Sequence, residues 1–205
     1  MNTYVAKGRL VIPSDKLENG TLQTQLEEVY TSLLLTLGAD LSDNNFADTP
    51  SRMARAAIDE FRTPPLPNLT DFDEEPYDGM ITVPRHEVWV RCPHHFERVR
   101  MIVGVSYVPS DRHRVLGLSK LPRICDYFAA GCILQETYTR LVADAIESAC
   151  APLRVGVYTT AYHQCMQARG VKTKSPVKMK ILRGIYMHSP ATRDEFLREV
   201  DNHER

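Results

Sequence analysis

Neither sign of charge prevails in this chain: 25 lysines and arginines stand against 26 aspartates and glutamates, a formal net charge of −1. A generally basic surface for coating nucleic acid is therefore excluded, leaving only local basic clusters. No apolar run approaches the length of a membrane span, and the start, MNTYVAKGRL, lacks the apolar core of a secretory leader. No nucleic-acid or membrane partner is expected, and the expected location is the cytoplasm. Cysteine is scarce and odd in number: Cys92, Cys125, Cys132, Cys150 and Cys165. In a reducing compartment these are expected to be buried, metal-bound or catalytic rather than disulfide-paired. Internal repeats and low-complexity tracts are absent too. What is present, 43% hydrophobic residues in a chain of 205, suits one folded domain with an appended helical segment.

The elements follow from periodicity. LQTQLEEVYTSLLLTLGAD repeats apolar residues at Leu22, Leu26, Val29, Leu33 and Leu37, an amphipathic helix closed near Gly38. A second helix is predicted in DTPSRMARAAIDEFR, with Asp48 and Thr49 as caps and Pro50 in the first turn. A polar, proline-rich loop, RTPPLPNLTDFDEEPYDG, joins this front part to the rest. MITVPRHEVWVR and VRMIVGVSYVP then read as strands. Two helices broken near Gly131 follow, the second running to about Cys150, and then two more strands in LRVGVYTTAYHQCM and SPVKMKILRGIYM. The tail, SPATRDEFLREVDNHER, reads as a short charged helix. The order strand, strand, helix, helix, strand, strand predicts an α+β unit with both helices on one face of an antiparallel sheet.

Metal-capable side chains cluster twice, at Cys92, His94 and His95 and again at His163 and Cys165. Alternate residues of a strand share a face, so His163 and Cys165 are expected to point into one pocket. Pro93 cannot donate to a sheet ladder, so the first strand should end or bend there and let His95 turn toward Cys92. Two thiolates with one or two imidazoles suit Zn²⁺, either in a closed structural site or in an open one with histidines left for proton transfer. Spacing leaves that choice open. Lys120, Arg123 and Arg169 read singly as solvated surface charges; converging on one pocket they would bind a polyphosphate. Gln135 and Glu136 begin a long helix, where a carboxylate is also favoured simply by the helix dipole.

Taken together, LGAD, DTPSRMARA, YDGM, CPHH, YVPSDRHRVLGLSKLPRI, LQETYTRLVADAI, AYHQCMQARGV and TRDEFLREV resemble the GTP cyclohydrolase I family, in the same order from about residue 20 to residue 200. The resemblance implies a tunnelling fold over residues 71–205 behind an N-terminal helical segment, 1–70. It also implies sheets joined between subunits into rings, two pentameric rings per decamer, and active sites at subunit interfaces. It places zinc on Cys92, His95 and Cys165 and leaves His94 and His163 to handle protons. GTP would be held at its phosphates by Lys120, Arg123 and Arg169, with Ser119 in the same pocket segment, and at the guanine ring by Glu136, helped by Gln135. The implied reaction opens the guanine imidazole ring at C8, releases formate and forms 7,8-dihydroneopterin triphosphate.

Several positions depart from the family pattern. Pro93 replaces a glutamate, FERVRMIVGVSYVP has other residues where the family carries proline-phenylalanine and then a glycine and a histidine, Gly131 and Thr137 stand where arginines are common, and SPVKMKIL adds Lys178 and Lys180. A divergent cyclohydrolase is expected, with a shifted purine nucleotide such as dGTP, a non-catalytic nucleotide binder and a closed structural zinc site as alternatives.

Overall fold

A computed structural model describes residues 9–18, 20–68, 71–73, 77, 79–109, 114–149 and 154–201. Cys150 and part of the YVPSDRHRV motif lie outside the described residues. Two compact units are formed, one by residues 10–63 and the other by Arg9 with the described residues from Pro64 onward.

The first unit holds α1 (Ser14–Glu18), α2 (Thr21–Thr36) and α3 (Thr49–Phe61). The apolar stripe predicted for α2 is there, yet none of its residues is buried, and Leu37 just past its end is 74% exposed. Pro50 sits in the first turn of α3, where a missing N–H costs nothing. Asp48 precedes that helix without making the expected side-chain cap; its carboxylate pairs instead with Arg52 Nη2 at 3.1 Å. Ser51 Oγ donates to Glu27 Oε1 at 2.8 Å and ties α3 to α2.

In the second unit the predicted hairpin appears as β2 (Ile81–Arg91) and β3 (Arg98–Tyr107), preceded by β1 (Asp71–Asp73). Next come β4 (Arg114–Leu116), α4 (Lys120–Ala129) and α5 (Gln135–Ala149). The chain then forms β5 (Val155–His163), α6 (Gln164–Gln167), β6 (Val177–Leu182), α7 (Ile185–His188) and α8 (Pro190–Asp201). The four long strands form one antiparallel sheet in the order β2-β3-β5-β6. The stretch expected to be all loop also supplies β1, which pairs with β4 in a separate two-stranded sheet.

Strand alternation gives the main sheet two different faces. Val99, Met101, Val103, Val105 and Tyr107 of β3 face one way, with Val155, Val157 and Ala161 of β5. Against them pack Leu121, Ile124 and Phe128 of α4 and Tyr138, Val142 and Ile146 of α5. Each such side chain contributes roughly 1.5–3 kcal/mol on leaving water. The break between α4 and α5 comes at Gly131, whose φ of 73° is in the left-handed region and whose carbonyl accepts the Arg91 N–H at 2.9 Å. The other sheet face carries a smaller cluster of Val108, Tyr158, Tyr186, Phe196 and Val200, supplied largely by the C-terminal segment.

Register brings the two ligand-bearing fragments together. Arg91 of β2 pairs with Arg98 of β3, and Val99 pairs with His163 of β5. The chain just after β2 and the chain just after β5 therefore leave the sheet at the same end.

Candidate metal and catalytic site

The strand stops at Arg91, as Pro93 predicts, and Cys92 to Glu97 form a tight turn. Cys92 N–H donates to the Glu97 carbonyl at 2.9 Å, and Phe96 N–H donates to the Cys92 carbonyl at 2.8 Å. Phe96 closes the turn at φ 59°, a left-handed conformation rare outside glycine. The turn brings His95 Nδ1 to 3.6 Å from Cys92 Sγ. Cys165 approaches from the other fragment, and one ligand atom from each of Cys92, His95 and Cys165 lies within 4.8 Å of the others. Among the described residues no other group of three or more histidine, cysteine or carboxylate side chains converges in this way.

One local expectation is corrected. His163 ends β5, but Cys165 sits on α6, so the two do not share a strand face. A helical turn after His163 redirects the chain, and both side chains still line the same cavity.

The donor set fits a divalent cation of the zinc type. Burial raises the Cys165 thiol pKa, and the neighbouring Cys92 sulfur raises it further, while Arg169 acts the other way. Two adjacent thiols resist joint ionisation unless a positive charge sits between them, and a bound cation provides one. Two sulfurs and one imidazole nitrogen are also a familiar zinc complement that leaves one position open.

The cavity beside this cluster encloses about 280 Å³. Cys92, His95 and Cys165 line it together with His94, His163, Gln135 and Glu136, over an apolar floor that includes Val90, Met101 and Met179. His94 is exposed, its ring edge-on to that of His95 with centroids 6.3 Å apart. His163 is half-buried; burial lowers its pKa, and Glu136 opposes that shift. Glu136 occupies the first turn of α5 and is itself exposed.

Gln135 differs from its neighbour. It is only 3% exposed, and its amide nitrogen donates to the Val177 carbonyl and to Thr159 Oγ1, each at 3.0 Å. Its amide oxygen lies 3.1 Å from His163 Nε2. Thr159 and Thr139 support this amide from the core, and neither stands out in the sequence. The one available signal was that Thr139 falls one helical turn after Gln135, on the same face.

The expected phosphate residues are not part of the cavity wall within one chain. Ser119 and Lys120 begin α4, and Arg123 lies one turn on, exposed. Arg169 follows α6, close enough to Cys165 to oppose part of the rise in that thiol's pKa. Of the two positions where an arginine was expected, Gly131 has a backbone that a side chain would strain, and Thr137 follows Glu136 on α5.

A sequence model of GTP cyclohydrolase I matches residues 26–201. The GTP cyclohydrolase 1 proteins of Salmonella arizonae, Salmonella paratyphi B and Salmonella newport are each 32% identical over 197 residues, which is 93% of this chain and 88% of each relative. Among solved structures, the apo form of the archaeosine synthase QueF-Like aligns with a TM-score of 0.42 and 18% identity, covering 53% of this chain and 94% of that one.

Proposed function

The chain belongs to the GTP cyclohydrolase I family of tunnelling-fold hydrolases, and on that premise we propose that it is a zinc-dependent GTP cyclohydrolase yielding formate and 7,8-dihydroneopterin triphosphate. The observation that carries the reading is the convergence of Cys92, His95 and Cys165 on a cavity that His94, His163 and Glu136 also line.

Cys92, His95 and Cys165 would hold the ion. When bound, zinc supplies a Lewis acid that lowers the pKa of water toward neutrality, so that hydrolysis can proceed at physiological pH. The remaining roles belong to the chain's own side chains. The Glu136 carboxylate accepts hydrogen bonds from guanine N–H groups and so orients the base, with C8 toward the metal end of the cavity. His94 stands beside the ligands without being one, and it protonates the imidazole-ring nitrogen as the C8–N bond opens. His163 exchanges a proton with the ribose-derived part during the later rearrangement. The apolar floor excludes bulk water from the reacting atoms.

Ser119, Lys120, Arg123 and Arg169 are assigned to the triphosphate, as a charge-assisted clamp. Because the single-chain cavity does not include them in its wall, a neighbouring subunit completes the site in this reading. An assembly of two pentameric rings in the cytoplasm is proposed with it.

The test is formate release by the zinc-loaded protein across GTP, dGTP and ATP. Formate from GTP, with a product fluorescent after oxidation, is the expected result. Zinc-loaded, assembled protein that releases no formate from GTP overturns the reading.

A further inference from the structure

We propose that Gln135 is a positioning residue, which fixes His163 as its Nε2–H tautomer and leaves Nδ1 as the ring nitrogen that exchanges protons. The inference rests on the cyclohydrolase reading for the substrate, but not for the tautomer.

Hydrogen-bond accounting carries it. The Val177 carbonyl, 3.0 Å from Gln135 Nε2, can only accept, and so can the Thr159 carbonyl at 3.4 Å. The amide nitrogen must therefore face them, because the flipped amide would set three oxygens against one another. Thr159 Oγ1 accepts the other amide N–H at 3.0 Å and passes its own hydrogen to Thr139 Oγ1, also at 3.0 Å. Thr139 Oγ1 in turn donates to the Gln135 backbone carbonyl at 2.7 Å. Every hydrogen in this chain has one place to go. Gln135 Oε1 is left facing His163 Nε2, so that nitrogen must carry a proton.

The surroundings make the arrangement rigid. Thr159 is 0% exposed, Thr139 1% and Gln135 3%, so a flipped amide would leave buried polar groups unsatisfied. Such groups cost roughly 1–3 kcal/mol each. Both amide N–H groups are already committed, so Gln135 acts through His163 instead of donating to the guanine ring.

The chemical consequence is directional. With Nε2–H tied to the core, a proton leaving the substrate forms its new bond at Nδ1, and the ring becomes an imidazolium. The Nε2–H···Oε1 bond persists in both charge states, so proton transfer needs no rearrangement of the amide. Returning the proton from Nδ1 restores the neutral ring. A preoriented acceptor of this kind matters because the wrong tautomer slows proton transfer severely even where geometry is intact.

Solid-state NMR of the full-length, zinc-loaded protein labelled with 15N-histidine tests the proposal, with His163→Gln identifying the His163 signals. The wild-type spectrum should show neutral His163 protonated at Nε2; protonation at Nδ1 overturns the proposal. Gln135→Met keeps the side-chain volume and removes the amide. It should mix the tautomers and lower kcat on the order of 10²-fold, with KM for GTP within about twofold. Thr159→Val should act in the same direction but less. A raised KM with unchanged kcat in Gln135→Met would instead mean direct contact with substrate, and the proposal fails. Absence of formate release by the wild type would remove the cyclohydrolase reading alone, since the tautomer is read without GTP.

Discussion

The two faces of the main sheet use the same strands for different purposes. On one face, residues from β3 and β5 interdigitate with α4 and α5 in the larger apolar cluster, and that cluster ends at the cavity with Cys92 and His163. Buried polar side chains on this face include Gln135 at the cavity, with Thr139 and Thr159 behind it. The other face is covered largely by the C-terminal segment. Gly104 and Gly156 leave room for α8, whose Val200 and Phe196 fill the space a Cβ would occupy. A latch at the helix end, Lys178 Nζ and Tyr158 Oη both donating to Asp201 Oδ1, closes it. The first face sacrifices some packing for positioned polar groups, whereas the second is fitted by shape. Substitutions on the first should therefore alter chemistry, and those on the second stability.

The largest effect is expected from Cys165→Ala. It removes one of the sulfur donors, so bound zinc measured after gel filtration should fall well below one ion per chain and formate release should drop to background. The thermal transition of the metal-free protein should stay where the wild-type apo protein has it. Full zinc content in this variant would remove Cys165 from the ligand set.

Gly104→Ala probes the opposite face. A Cβ there would lie 2.4 Å from Val200 Cγ1, closer than atoms tolerate, and a tight 3.1 Å from the Pro84 carbonyl. We expect a loss of about 1–3 kcal/mol in urea unfolding, with zinc content unchanged. Adding Val200→Ala should recover part of that loss, because the two changes act on one contact. A purely additive double variant would contradict the proposed fit.

The smallest effect concerns the latch. The Lys178 ammonium, and after it the Tyr158 hydroxyl, hold the Asp201 carboxyl below its ordinary pKa. The folded value is thus lower than the unfolded value of about 4, so the stabilisation is complete above that pH and lost as pH falls through the folded value. Asp201 is half exposed, so solvent screening keeps the contribution below about 1 kcal/mol. Asp201→Asn should flatten the acid limb of a stability–pH curve while leaving formate release at neutral pH unchanged.

The same contrast explains what the sequence disclosed. Alternating apolar residues from Val99 to Tyr107 announced β3, and Gly131 announced the helix break. Cysteine and histidine spacing announced two fragments able to share a metal, and Pro93 gave a physical reason for the turn between Cys92 and His95. The β1–β4 pairing was hidden, since three-residue strands far apart in sequence carry almost no periodic signal. The stretches expected to remain extended through Met166 and Met187 turn helical at Gln164 and Ile185. Short helical turns of that kind depend on tertiary contacts more than on local propensity. The α2 stripe read correctly as a helix, but amphipathicity alone did not reveal that Val29 and Leu33 stay exposed in the single chain. Gln135 next to Glu136 looked like a pair sharing one role. Only the fold separates the buried amide from the exposed carboxylate.

The division of labour between ligands and proton carriers is tested most directly by His94→Ala. Zinc content, GTP binding and formate release should be measured on the same preparation. Full zinc content and retained GTP binding are expected, with turnover lost. Turnover close to wild type, or loss of zinc with this substitution, would contradict that division.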